Sequence, residues 1–145
     1  NIDYDALNQL RRRISDLGET IVLDYEGDRL TALGPQDLAE KNRTHIKGEG
    51  DNLGYDISSF SEDGTPLFIE VKTTKQNKPA DFYLSRNECA IGNQFFTDGK
   101  LYRIYRIYNL NPATGTRDMV IYKPPFDNNH FDMQPENWRI QLQNS

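Results

Sequence analysis

Apolar side chains at Leu7, Leu10, Ile14, Leu17, Ile21, Tyr25, Leu30 and Leu33 recur at helical spacing. They predict a helix from about Asp5 to Leu33, with Gly34-Pro35 as its stop. Gly18 interrupts the stripe, at an interior cost of roughly 1 kcal/mol relative to alanine. The run therefore reads as two short helices, or as one helix with a point of close approach to a neighbour. Pro35 to Asn42 adds one or two helical turns, and Thr44 to Lys47 reads as a short strand. Gly48 to Asn52 is a turn-rich acidic loop.

From Gly54 the period changes from 3.6 to 2. The segment GYDISSFSEDGTPLFIEVKTT, 54–74, holds two apolar β-rich runs on either side of Asp63-Gly64, a strong hairpin signal. With Glu62-Asp63-Gly64 as a three-residue loop and Gly64 left-handed, Ser61 pairs with Thr65. Counting outward sets Asp56 opposite Glu70. Alternation along the second strand puts Phe68, Glu70 and Lys72 on one face and Leu67, Ile69 and Val71 on the other.

Beyond the hairpin, Lys75 to Ala80 is a polar loop and Phe82-Tyr83-Leu84 a short extended piece. Ser85 and Glu88 have the form of a capping box ahead of a helix to about Phe96, ended by Asp98-Gly99. Leu101 to Leu110, rich in tyrosine and isoleucine, reads as a strand. A turn at Asn111 to Gly115 leads to another at about Met119 to Tyr122. Lys123 to Asn137 is loop, and Trp138 to Leu142 a last edge strand. Helix, hairpin, helix and strands add up to a mixed sheet flanked by helices, α/β in class.

The chain has 145 residues, one domain's worth, and opens without Met, which predicts a fragment of a larger protein. No apolar run reaches membrane-spanning length, so no membrane role is expected. The single cysteine, Cys89, fits a reducing, cytoplasmic setting, and with only His45 and His130 beside it a Cys/His zinc site is not expected. The net charge of −5 argues against tight unaided binding to nucleic acid, whose non-specific affinity comes from phosphate neutralisation. Either nucleic acid is not the ligand, or a bound metal and another domain supply the missing positive charge.

Two carboxylates and an ammonium on one strand-edge patch make a place for a hard divalent cation, Mg²⁺ or Mn²⁺. Asp56 and Glu70 are the candidate ligands, with the Val71 carbonyl as a further one. Lys72 is then placed to orient an attacking water and to contact a phosphate. Glu19, next to Gly18 on the first helix, is a third acid for the same site. Acid, spacer, acid-x-lysine, here Asp56 … Glu70-Val71-Lys72, resembles the motif of the PD-(D/E)xK nucleases. An ordinary solvent-facing Glu-x-Lys pair produces the same local pattern. Desolvating Glu70 and Lys72 among Phe68, Ile69 and Val71 is what asks for a further reason.

Other residues have simpler readings. Ser85 and Glu88 are a helix cap, with a role for Asn87 or Glu88 near substrate as the alternative. Lys75 and Lys78 are within reach of phosphates or merely solubilise a loop. Arg103 and Arg106 stand among Tyr102, Tyr105 and Tyr108 as a phosphate-and-stacking surface, but the spacing sends some of these tyrosines to the core. Arg11-Arg12-Arg13 is a solvated helix face, and Cys89 packs. His45 and His130 have no partner in sequence.

Gly54-Tyr55-Asp56-Ile57, Phe68-Ile69-Glu70-Val71-Lys72-Thr73-Thr74 and Leu84-Ser85-Arg86-Asn87-Glu88 resemble the C-terminal domain family named after the plant protein NO VEIN. The similarity runs from the Glu19 helix to the tyrosine-rich strand at Leu101–Tyr108. That family is a domain of unknown function, found in bacterial defence and restriction-type proteins, often beside helicase modules. The resemblance implies a restriction-endonuclease-like fold with Asp56, Glu70, Lys72 and Glu19 at its site. The expectation is Mg²⁺-dependent hydrolysis of DNA within a prokaryotic restriction or defence protein. Targeting would come from a fused or separate domain, a helicase or modified-base reader, or from homodimerisation. The alternatives are a non-catalytic nucleic-acid or protein-binding module on the same fold, and an RNA-cleaving effector.

Overall fold

A computed structural model describes residues 3–33, 44–45, 54–79, 81–136 and 140–143. The first helix, α1, runs unbroken over Tyr4–Ala32. Asp3 caps it, its Oδ1 accepting from the Ala6 amide at 3.1 Å, which satisfies one of the donors a helix start leaves open. It ends just ahead of Gly34-Pro35, themselves outside the described residues, as are Pro35 to Asn42 and Gly48 to Asn52. Of the two readings of Gly18, the single helix is correct. A Cβ there would meet Thr73 Oγ1 at 1.8 Å, so the missing side chain lets helix and strand backbones approach.

Five strands among the described residues form one sheet in the order β1-β2-β3-β4-β5. These are β1 Thr44–His45, β2 Ile57–Phe60, β3 Pro66–Thr73, β4 Leu101–Tyr108 and β5 Asp118–Tyr122. The first is only a two-residue edge piece on a four-stranded body. Neighbours are antiparallel except β3 and β4, which are parallel. Between those two lies the second helix, α2, Arg86–Thr97, as a parallel connection requires a crossover.

The hairpin has the register that the sequence predicts. Ile57 faces Ile69 and Phe60 faces Pro66. The Ser61 amide donates to the Thr65 carbonyl at 2.8 Å, and Gly64 has a φ of +88°. The expected alternation follows. Leu67 and Ile69 join Ile14, Ile21 and Val22 of α1 with Ile57, Tyr105 and Ile107 in one apolar core. Phe68 turns to the opposite face with Tyr102, Ile104, Phe95 and Phe126. One helix therefore covers each face of the sheet. Gly92 seats α2 there, since a Cβ would meet Phe126 and Tyr102 ring carbons at 2.7 and 2.9 Å.

A buried polar network on the α1 side has no counterpart in the sequence reading. Glu26 is fully buried and accepts from Ser59 Oγ (2.7 Å), Tyr105 Oη (2.8 Å) and Arg29 through both carboxylate oxygens (3.0 and 2.7 Å). Arg29 also donates to the Phe60 carbonyl. Every oxygen of the carboxylate is satisfied, so the network ties α1 to β2 and β4 without leaving a charge unpaired.

The C-terminal edge strand expected at Trp138 to Leu142 is not formed where it can be seen. Ile140 and Leu142 are almost fully exposed and outside any strand, while 137–139 lie outside the described residues. With those two side chains almost wholly in solvent, no burial holds the segment against the sheet.

Candidate functional site

The site forms where the β2–β3 pairing gives out. Asp56 lies one residue before β2, and its amide donates to the Ile69 carbonyl at 2.8 Å. The next ladder partner is a side chain, because Asp56 Oδ2 accepts from the Val71 amide at 2.9 Å. This fixes the first carboxylate against the very strand that carries the second. Beyond that point no strand among the described residues pairs with this edge of β3, and a groove of about 390 Å³ begins there. Asp56, Glu70, Val71 and Lys72 line it, and Glu19 lines it from α1. All five positions singled out in the sequence therefore reach one groove.

The sequence read Glu88 as a cap, with a role near substrate for Asn87 or Glu88 as the alternative; the cap forms, and Glu88 also pairs with Lys72. The capping box is complete: the Glu88 amide donates to Ser85 Oγ at 3.0 Å, and the Ser85 amide donates to Glu88 Oε1 at 2.8 Å. The same carboxylate holds the Lys72 ammonium, which donates to Oε1 at 2.8 Å and Oε2 at 3.0 Å. Lys72 Nζ is 3.8 Å from Glu70 Oε1. The sequence signal for this was the cap itself: it puts a glutamate at the first turn of α2, and α2 packs on the face that carries Glu70 and Lys72. Asn87 is exposed.

Three carboxylates around one ammonium cannot all be ionised cheaply in a half-dry site. Burial pushes the Glu70 carboxyl up to about 10, helped by its hydrogen bond to Glu88 and by the negative charges of Asp56 and Glu88. Burial also raises Asp56, against the Val71 amide and Glu70 hydrogen bonds that lower it. Glu88 goes the other way, to about 2: although burial opposes it, the hydrogen bonds from Glu70, Lys72 and Ser85 hold its charged form. The arrangement at neutral pH is an ionised Glu88 paired with Lys72, and a protonated Glu70 donating into the cluster.

As they stand, the described His, Cys, Asp and Glu residues include no group of three or more set to hold a metal ion. The donor chemistry nevertheless suits a hard cation. Asp56 and Glu70 offer oxygens only, and the proton on Glu70 occupies the place that positive charge would take. One further polar atom at the groove, Thr73 Oγ1, is buried with no hydrogen-bond partner among the described residues.

The remaining candidates divide by face. Some of the tyrosines are core, as the spacing required: the Tyr102 hydroxyl donates to the Gly54 carbonyl at 2.8 Å on one face, and Tyr105 belongs to the Glu26 network on the other. Arg106 faces Lys72 in the β3–β4 register and lines the groove, whereas Arg103 turns to the far side. Lys78 pairs with Asp81 at 3.1 Å. Cys89 is partly buried against the Phe126 carbonyl, and burial raises its thiol pKa, so it packs as expected. His130 bonds Asp127 at 2.7 Å in an exposed turn, away from the groove.

The family model described as "Protein NO VEIN, C-terminal" matches residues 18–121, from Gly18 on α1 to Ile121 on β5. No curated protein and no solved structure matches the chain significantly. The matched span covers most of the sequence and contains Glu19, Asp56, Glu70, Lys72 and Glu88. The chain belongs to the family of the NO VEIN C-terminal domain.

Proposed function

We propose that this chain is a metal-dependent phosphodiesterase acting on DNA, with a PD-(D/E)xK site on a restriction-endonuclease-like fold. It would serve as the nuclease module of a prokaryotic restriction or defence protein. The observation that carries this reading is the meeting of Asp56, Glu70 and Lys72 in one groove, with Asp56 anchored to β3 by the Val71 amide.

Asp56, Glu70 and the Val71 carbonyl would hold Mg²⁺ or Mn²⁺, with Glu19 reaching it through water. When bound, such an ion neutralises charge on the phosphate and makes its water more acidic. The rest of the chemistry belongs to the side chains. The Asp56 carboxylate is oriented before any ligand arrives, so no reorganisation is needed to bring it beside Glu70. The Lys72 ammonium supplies a fixed positive charge two residues along the same strand face, where it can orient the attacking water and offset charge gathering on the phosphate. Glu88 keeps that ammonium from swinging into solvent, and the capping box keeps Glu88 in place. The net charge of −5 leaves intrinsic affinity for DNA low, so a fused or separate targeting domain, or a second copy of the chain, would bring substrate to the groove.

A second reading has its own observation. Lys72 is engaged through both Glu88 oxygens, and the acids among the described residues do not stand as a ready ligand group. That suits a nuclease-like fold retained as a non-catalytic binding module. Cleavage of plasmid and of single-stranded DNA, each with Mg²⁺ and with EDTA, separates the two. Asp56→Ala and Lys72→Ala are expected to lose Mg²⁺-dependent cleavage by about a hundredfold or more while keeping the parent's circular dichroism. Equal cutting by both variants and the parent contradicts the assignment. A parent that never cuts leaves the binding module. Parallel digestion of tRNA, single-stranded DNA and duplex DNA tests the choice of DNA over RNA.

A further inference from the structure

The groove continues past the carboxylates onto a wall that the proposed hydrolysis does not use. Asp81 takes the left-handed conformation, with φ of 61°, and the chain then sends Phe82 inward and Tyr83 outward. The Phe82 ring packs on Tyr122 with centroids 5.5 Å apart. On that ring lies the Arg106 guanidinium, 5.2 Å from the centroid, with Nε donating to the Pro79 carbonyl at 3.2 Å. Tyr83 lines the same groove and is 73% exposed.

Arg106 is the unusual member. Only 6% of it is exposed, yet among the described residues no carboxylate pairs with it. Its charge is offset by one carbonyl and an aromatic face, and burial lowers its pKa. A guanidinium so enclosed beside Lys72 is short of an anion, and the planar fork suits a phosphate. An exposed tyrosine on the same wall offers a face on which a base can stack, whatever its identity.

We propose that Arg106 and Tyr83 form a subsite for single-stranded DNA, Arg106 taking a phosphate and Tyr83 stacking an unpaired base. An intact duplex keeps its bases stacked inside the helix and cannot offer one to Tyr83. The strand brought to Asp56, Glu70 and Lys72 is therefore single-stranded or locally splayed. This rests on the phosphodiesterase reading for its purpose but not for its test.

The test has a binding arm and a cleavage arm. Fluorescence anisotropy with a labelled single-stranded oligonucleotide and its duplex, in Ca²⁺, is expected to show preference for the single strand. Tyr83→Ala should weaken single-strand binding about tenfold and leave duplex binding unchanged, while Tyr83→Phe, which keeps the ring, binds like the parent. Arg106→Lys keeps the charge and loses the planar fork, and it should also bind the single strand less well. In Mg²⁺, the Tyr83→Ala defect should appear as a raised KM on single-stranded substrate with little change in kcat. Equal affinity of Tyr83→Ala and parent for the single strand, or a parent that prefers duplex, overturns the subsite. A parent that binds as described but never cuts removes the hydrolase and leaves the subsite standing.

Discussion

Glu88 closes the first turn of α2 through Oε1 and clamps the Lys72 ammonium through Oε1 and Oε2, so removing it would disturb a helix start and a site together. Glu70, beside it, carries the pH dependence. Its folded value, about 10, lies above the ordinary 4.5, so the stability it contributes is complete below about pH 4.5 and is lost as pH rises toward 10. Glu88 has the opposite sign: depressed to about 2, its contribution is present above its ordinary value and is lost as pH falls through 2. Glu70→Gln keeps a donor for the neighbouring carboxylates without the ionisation. In metal-free buffer this variant is expected to flatten the decline of thermal stability between about pH 5 and pH 9, read by melting temperature. A parallel decline in parent and variant would mean that Glu70 is not the group responsible. At this scale the sequence was legible wherever a period-two count sufficed, as for Asp56, Glu70 and Lys72. For Arg106 it offered only a phosphate-and-stacking surface shared with Arg103, because only the fold separates the two and sets Arg106 beside Lys72 with Phe82 beneath it.

Among the elements, α1 is the instructive case. Its apolar stripe announced a helix, and helix propensity alone made a break at Gly18 as plausible as continuity. The deciding fact was tertiary: Thr73 occupies the space that a side chain at 18 would fill. Gly18→Ala should therefore destabilise the protein by about 1–3 kcal/mol, despite alanine's better propensity, as overpacking does. Thr73→Ala in the same chain removes Oγ1 and Cγ2 but leaves Cβ, 2.9 Å from the added methyl, so rescue should be partial. Denaturant unfolding of the two single variants and the double measures the coupling. A stabilised Gly18→Ala would show that the helix is free to move off the sheet. The hairpin, by contrast, was readable in register as well as in existence, since Asp63-Gly64 fixes the loop and the loop fixes every pair beyond it. The missing strand at Ile140–Leu142 shows the reverse: two apolar residues in a short run carry no information about what they will meet.

At the scale of the whole molecule, a helix covers each face of a mixed sheet, and the acids collect along β3 at Val71 to Thr73, where pairing with β2 has given out among the described residues. The alternation of helices and strands made the α/β class readable. The groove was not, because it depends on α1 reaching the edge of β3 with Glu19 and on the 81–84 segment closing the other side. Burial, helped by the hydrogen bond to Glu88 and the negative charges of Asp56 and Glu88, raises the Glu70 carboxyl. A divalent cation held by Asp56 and Glu70 would take the place of that proton. Calorimetric titration of Mg²⁺ or Mn²⁺ into the parent and into Asp56→Ala tests this most directly. The expected result is a saturable, EDTA-reversible site in the parent that is lost in Asp56→Ala; no binding by the parent, or undiminished binding by the variant, contradicts it.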